Sequence, residues 1–232
     1  MPVVAETATG QPPAPEWHVR PGLSPYTQTL AVMEALVAEI ADNGAREQIW
    51  LIEHPPVLTA GTSAESADLV DADRFPVVHV GRGGRFTYHG PGQRVVYPML
   101  NLGQRDRDVH AYVTALETWV IAALADFGVH AFVHDAGTGI WVDSAGGIAK
   151  IGAIGVRIRR WVTFHGLAIN VATDLSHFDA IIPCGIAGRG VARLVDLAPG
   201  AGIADLDAAL HRHLPALLQA ITAAPAAMQE GA

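Results

Sequence analysis

The second half of the chain contains four strand-like segments in succession, and this run limits the possible folds more than any other feature. The four segments are rich in valine, isoleucine and aromatic residues and lie at 129–134, 140–142, 148–158 and 162–171. Other strands are predicted at 17–20, 48–53, 77–80 and 94–100, and helices at 24–43, 108–127 and 204–221, the last interrupted near Pro215. Because the strands cluster rather than alternate strictly with helices, we predict an α+β or α/β protein with a mixed central β-sheet flanked by helices. A doubly wound nucleotide-binding fold is disfavoured.

The composition indicates one domain with short extensions. Residues 1–16 are rich in alanine and proline and lack periodicity, as do residues 223–232, so both are predicted to be disordered and 17–222 to form a single domain. No apolar run reaches the roughly 18 residues that span a bilayer, and the amino terminus does not resemble a signal peptide. A net charge of −8 argues against nucleic-acid binding. We therefore expect a cytoplasmic protein that binds neither nucleic acid nor membrane.

One cysteine and one lysine both occur in glycine-rich stretches of the central sequence. Lys150 lies in GGIAKIGAIG and Cys184 in IIPCGIAG, while the other fourteen of the fifteen basic residues are arginine. An amine can exchange protons where arginine cannot, and a nearby cation favours the reactive thiolate form of cysteine. The pair suggests covalent catalysis at sulfur, although an inert buried cysteine and a chance lysine would give the same composition. A single cysteine leaves no disulfide framework and no multi-cysteine metal site.

A second concentration of functional residue types, RGGRFTYHGPGQ, lies between two predicted strands. It begins like a dinucleotide-binding loop, but Phe86 occupies the third glycine position and a strand follows, and the chain has no GxxxxGK[ST] motif. The glycines can instead bring backbone amides close to a ligand. His89 and His165 each precede a glycine in a loop-like context, although either one alone is more typical of a structural histidine than of a catalytic one.

Taken together, the motifs resemble those of the octanoyl (lipoyl) transferases of lipoate biosynthesis, a branch of the biotin/lipoate protein ligase superfamily. The motifs occur in the family's order: RGGRFTYHGPGQRVVYPML, GIWV, AKIGAIGV, FHGLAINV and IIPCGI. The match as a whole spans about residues 25–197. The resemblance implies a biotin/lipoate protein ligase-like fold and a catalytic acyltransferase domain. Such an enzyme moves an octanoyl group from octanoyl-acyl carrier protein to a lysine of a lipoyl domain, the first step of protein lipoylation. The acceptors it implies are the lipoyl domains of 2-oxoacid dehydrogenase complexes and the glycine cleavage H protein.

The resemblance also implies roles for individual residues. Cys184 would form an acyl-thioester, Lys150 would favour its thiolate and act as acid and base, and His89 is a candidate for binding the oxyanion. The substrate-binding residues that it implies are Arg82, Gly83, Gly84, Arg85, Phe86, Thr87, Tyr88, His89, Ala153, Ile154, Gly155, Gly166, Leu167 and Ala168. Since one thioester is exchanged for another, we expect no cofactor, neither ATP nor a metal ion.

Three other functions remain open from the sequence: an ATP-dependent lipoate or biotin protein ligase, a non-catalytic module that binds acyl carriers or lipoyl domains, and a thioesterase. A ligase would act on the free acid without Cys184, a binding module would form no acyl-enzyme, and a thioesterase would need no amine acceptor. An acidic carrier protein would also need a local basic surface on this negatively charged chain. Eight arginines are candidates for that surface, unless they form an ordinary solvated edge: Arg82, Arg85, Arg94, Arg105, Arg107, Arg157, Arg159 and Arg160.

Overall fold

The computed structural model of the chain describes residues 12–135, 137–144, 146–182 and 190–222. In these ranges the strands are β1 (Glu16–Leu23), β2 (Gln48–Glu53), β3 (Val57–Ala60), β4 (Val77–His79), β5 (Phe86–His89), β6 (Gln93–Met99), β7 (Ala131–Phe132), β8 (Ile140–Ser144), β9 (Gly147–Arg159), β10 (Val162–Asn170) and β11 (Gly190–Val191). The helices are α1 (Tyr26–Asn43), α2 (Val109–Ala125), α3 (Leu194–Leu197) and α4 (Ile203–Ala220). The predicted terminal extensions lie outside the described residues, apart from 12–16, and Glu16 already belongs to β1.

These strands form two sheets. The large sheet has the order β1-β2-β6-β10-β9-β8-β7, and β11 pairs with β9 in parallel. β1 and β2 are also parallel, whereas the pairs from β2 to β7 are antiparallel. The small sheet has the order β4-β3-β5. The predicted mixed sheet flanked by helices is therefore confirmed.

Helices cover both faces of the large sheet, which explains why the middle residues of β2, IWLI, are all apolar and why every residue of β6 and β10 is buried. In β2, Ile49 and Leu51 pack in a core shared with α2 and α4, while Trp50 and Ile52 pack in a second core shared with α1. Strands buried on both faces have continuous rather than alternating apolar sequences. The bounds predicted for β2 from QIWLIE are accordingly correct.

Four local predictions are wrong. α4 is continuous through Pro215, which lies on the exposed side of the helix, where its ring meets no packed element. The strand predicted at 129–134 is reduced to the two residues of β7. β3 was missed because the prolines after His54 were interpreted only as the end of β2. β5 was missed because it lies within the glycine-rich segment. β3 begins where the chain leaves the large sheet after β2, and β5 ends just before the chain returns to it at β6.

Candidate active site

A cavity of about 1140 Å³ lies between the two sheets and the amino-terminal half of α2. Nearly all of the described residues predicted to bind substrate line it, together with Lys150: Arg82, Gly83, Gly84, Arg85, Phe86, Thr87, His89, Ala153, Ile154, Gly155, Gly166, Leu167 and Ala168. Sequence segments separated by up to 86 residues (82 to 168) are thus brought to one site.

Tyr88 is the member of the predicted set that does not line the cavity. Its side chain is fully buried in the core of the small sheet, where its ring contacts Phe75 and Phe178. Its hydroxyl lies 2.6 Å from Nδ1 of His177. A Cβ at Gly90 would lie only 1.8 Å from that hydroxyl, so the glycine after His89 makes room for Tyr88. The structure therefore places Tyr88 in the core of the small sheet and not in the cavity.

Small residues on β9 and β10 form the floor of the cavity. Gly155 is paired with Gly166, and Ala153 with Ala168, so two pairs separated only by Ile154 and Leu167 carry almost no side-chain volume. Glycine is required at position 166 because a Cβ there would lie 2.2 Å from the carbonyl oxygen of Val96. The floor is therefore formed by backbone and methyl groups and is apolar.

The segment that begins with Arg82 is fixed against β9 and β3. The amide of Gly83 donates to the Val156 carbonyl at 3.1 Å. Arg82 Nη2 donates to the carbonyl and the hydroxyl of Thr59 at 2.8 and 2.7 Å. A Cβ at Gly155 would lie 3.0 Å from Cδ of Arg82, so this glycine lets the buried guanidinium reach the small sheet. Arg82 holds the two sheets together at one end of the cavity.

Lys150 lies at the other end of the cavity and is only 8% exposed. Its Nζ donates to the Thr138 carbonyl at 2.9 Å and lies 4.9 Å from the centre of the Trp141 ring. β9 has a β-bulge here, because Lys150 is opposite Trp141 and Gly152 is opposite Ile140. From Lys150 to Gly155 the strand runs at most about 16 Å at roughly 3.3 Å per residue. The cavity thus has two polar ends separated by an apolar floor.

The two histidines singled out in the sequence have different surroundings. Nδ1 of His89 lies 2.8 Å from Oε1 of Gln93, and Nε2 lies 3.5 Å from the Thr59 hydroxyl. Burial lowers the pKa of His89 well below its ordinary value, and the neighbouring His54 acts in the same direction. His89 is therefore a neutral side chain whose ring nitrogens face protein groups.

His165 has the left-handed backbone conformation (φ 58°) that non-glycine residues rarely adopt, and it lines the cavity. Neither of its ring nitrogens has a hydrogen-bond partner in the part of the chain that the structure describes. Burial lowers its pKa to about 3, and the positive charges of Arg82 and Arg157 contribute. Of the two histidines, His165 is the one whose ring nitrogens are left for a ligand or water.

Sequence reasoning missed several other polar residues of the cavity. Tyr26, Tyr97 and Glu117 line it, and His54 supports it, with Nδ1 at 2.6 Å from the Ser24 carbonyl and Nε2 at 2.9 Å from the Tyr97 hydroxyl. One signal was available: Glu117 is the only acidic or basic residue in the 17 residues of α2 apart from His110.

Cys184 lies outside the described residues, but both neighbouring segments are placed. Ile182 donates its amide to the Asp68 carbonyl at 2.7 Å. On the other side, Gly190 and Val191 pair with Ala149 and Lys150 in β9. The first described residues after Cys184 therefore pair with the strand that carries Lys150. The contact between these two residues remains a prediction.

A model of the lipoyl protein ligase A/B catalytic domain matches residues 25–215. The chain belongs to this lipoyl protein ligase A/B family. It is 56% identical to the octanoyltransferase of Rhizorhabdus wittichii over 203 residues, covering 88% of this chain and 91% of the relative. It is 57% identical to the octanoyltransferase of Sphingopyxis alaskensis over 207 residues, covering 89% and 95%. This member of the lipoyl protein ligase A/B family is therefore an acyltransferase, and the resemblance found in the motifs is confirmed.

Solved structures confirm the predicted fold of the lipoyl protein ligase A/B family. A bipartite lipoate protein ligase from Thermoplasma acidophilum, studied with its E2 lipoyl domain, has a TM-score of 0.72 at 17% identity, covering 93% of this chain and 88% of that one. Lipoate-protein ligase A bound with ATP has a TM-score of 0.66 at 18% identity, covering 92% and 90%. Within the described residues, no helix has the length and apolar character needed to cross a membrane.

Proposed function

We propose that the chain transfers an octanoyl group from octanoyl-acyl carrier protein to a lysine of a lipoyl domain, through a thioester at Cys184. The observation that carries the proposal is 56% identity to an octanoyltransferase along nearly the whole length of both chains. The cavity supports it, because its apolar floor ends at the only lysine of the chain. The return of the Cys184 segment to β9 beside Lys150 supports the pairing of thiol and amine.

The reaction would proceed in two balanced steps. In the first, the Cys184 thiolate attacks the thioester carbonyl, the carbon–sulfur bond to the carrier breaks, and Lys150 gives a proton to the departing carrier thiolate. In the second, the acceptor amine attacks the acyl-enzyme, an amide bond forms, and the cysteine leaves as thiolate. Lys150 takes up the proton that the amine releases, which restores the starting state. Because the donor is already a thioester, neither step consumes ATP.

The floor formed by Ala153, Gly155, Gly166 and Ala168 would hold the alkyl chain. Each buried methylene contributes about 0.8 kcal/mol, so an octanoyl chain has enough apolar surface to bind without further polar contacts. The side chains of Ile154 and Leu167 also line the cavity and can add to this contact.

The partners would be an acidic acyl carrier protein and the lipoyl domains of 2-oxoacid dehydrogenase complexes and the glycine cleavage H protein. Three of the eight candidate arginines are excluded from the docking surface. Arg82 is buried and donates to Thr59. Arg94 and Arg105 are buried in ion pairs, with Asp207 at 2.8 Å and Glu47 at 2.5 Å. Arg85 and Arg160 also pair with carboxylates, of Asp68 and Asp42. We also propose a cytoplasmic location, because a catalytic thiol requires a reducing environment.

Intact mass spectrometry after mixing with octanoyl-carrier protein tests the proposal directly. The wild type should gain one octanoyl adduct that hydroxylamine removes. Cys184→Ser should gain no hydroxylamine-sensitive adduct, and Lys150→Arg should acylate far more slowly. An absent adduct, or a resistant one on Lys150, would exclude the mechanism. ATP-dependent turnover of free octanoate by Cys184→Ser would instead identify a ligase.

A further inference from the structure

Glu117 is a buried carboxylate in the otherwise largely apolar helix α2. It is 7% exposed, in the middle of α2, where Leu116 and Val120 on either side pack into the core beneath the large sheet. A carboxylate in such a place destabilises the fold unless it is hydrogen-bonded. Glu117 lines the cavity, so its carboxylate lies at the end where α2 approaches β9.

The contact made by Glu117 leads to Lys150. Its Oε1 accepts a hydrogen bond from the amide of Gly139 at 3.3 Å. Gly139 has a φ of 138°, and a Cβ there would lie 2.7 Å from the Gly152 carbonyl oxygen and 3.0 Å from Cε of Lys150. The residue before it, Thr138, accepts the hydrogen bond from Lys150 Nζ.

The segment 137–141 surrounds the amine on several sides. The indole of Trp141 lies beneath Nζ, and its Nε1 donates back to the Gly137 carbonyl at 3.1 Å. The segment therefore contacts Lys150, and its Gly139 amide donates a hydrogen bond to Glu117 of α2. The same short segment thus binds Glu117 through the Gly139 amide and Nζ of Lys150 through the Thr138 carbonyl.

We propose that Glu117 is a positioning residue for Lys150, acting through its hydrogen bond to the backbone of segment 137–141. The catalytic consequence depends on the proposed function, in which Lys150 handles protons for the thiol and the incoming amine. The structural consequence does not, and the two can be measured separately.

The structural test uses the fact that the chain has a single lysine. In full-length protein labelled with ¹³C- and ¹⁵N-lysine, every lysine side-chain signal in NMR comes from Lys150, and the chemical shift of its Cε group is followed. The signal should move by more than its linewidth in Glu117→Ala. It should stay in place in Glu117→Gln, because the amide oxygen of glutamine can still accept from Gly139. Asp207→Asn is the matched control, a buried carboxylate outside the cavity, and should leave the signal unchanged.

The kinetic test follows acylation and transfer in single turnovers. Glu117→Ala should slow both steps by about 10- to 100-fold, the cost of misplacing a catalytic group, with the donor KM unchanged. Glu117→Gln should restore the rates to within about threefold of wild type. An unmoved Lys150 signal in Glu117→Ala, or a glutamine variant as impaired as the alanine variant, would overturn the proposal. If wild type forms no acyl-enzyme, the proposed function fails while the NMR result still decides the positioning role.

Discussion

Two histidines near the Arg82 end of the cavity, His54 and His165, are buried and neutral. Burial lowers the pKa of His54 to about 4 and that of His165 to about 3. An unfolded histidine titrates near 6.5, so the unfolded chain binds these protons at a higher pH than the folded chain does. The stabilisation from keeping them neutral is therefore complete above about pH 6.5 and is lost as the pH falls towards 4.

We predict that acidification destabilises the protein through these two residues. Between pH 7.5 and 5, each should lower the free energy of unfolding by roughly 2 kcal/mol, because one pKa unit corresponds to about 1.4 kcal/mol. Urea unfolding at both pH values measures the loss, to which the buried His89 adds in the same direction, and His165→Asn should reduce it by roughly 2 kcal/mol. His18→Asn, an exposed control, should not alter it. A free energy of unfolding that is equal at both pH values would contradict the assignment of neutral buried imidazoles.

The two histidine–glycine motifs also show what a sequence can reveal about single residues. It indicated that His89 and His165 lie in functional segments, and the structure places both at the cavity. It could not distinguish them, because the difference arises from Thr59 and Gln93, which come from other strands and approach one ring only. Residue types can be recognised from a motif, whereas hydrogen-bond partners depend on the completed fold.

At the level of elements, the site depends on the pairing of β9 with β10. Strands buried on both faces were predicted correctly because their sequences are continuously apolar, as in β2. The bulge at Lys150 and the pairing of Gly155 with Gly166 could not be predicted, because register is set by contacts between distant segments. The glycines could be identified in the sequence, but the close contacts with other strands that require them could not.

We predict that Gly166→Ala destabilises the protein far more than Gly83→Ala. A Cβ at 166 would lie 2.2 Å from the Val96 carbonyl oxygen and 2.7 Å from Cδ of Pro98, so the central strands would have to separate. Such overpacking costs about 3 kcal/mol. A Cβ at 83 meets nothing closer than 3.8 Å and should change the free energy of unfolding by less than about 0.5 kcal/mol. Thermal and urea unfolding measure both, and equal losses would show that β6 and β10 can move apart.

At the scale of the whole molecule, the question is how a chain of net charge −8 binds an acidic carrier. Of the arginines considered for the docking surface, the exposed ones without a carboxylate partner remain as candidates. Arg107, Arg157 and Arg159 are exposed, and none has a carboxylate within ion-pair distance in the described part of the chain. Arg157 lies against the backbone of Gly81, next to the segment that lines the cavity. Uncompensated positive charge therefore remains beside the site.

We predict that these arginines attract the donor and do not take part in the chemistry. Reversing two of them, in Arg157→Glu with Arg159→Glu, should raise the KM for octanoyl-carrier protein about tenfold at low salt and leave kcat within about twofold, because surface charges mainly affect association. The difference from wild type should shrink above roughly 0.15 M salt, where charges more than about 8 Å apart are screened. Arg46→Glu with Arg212→Glu changes the net charge equally on exposed positions outside the cavity, and its donor KM should stay near that of wild type. Equal effects of the two double variants would mean that total charge governs the encounter, and an unchanged KM for both would exclude this surface as the docking site.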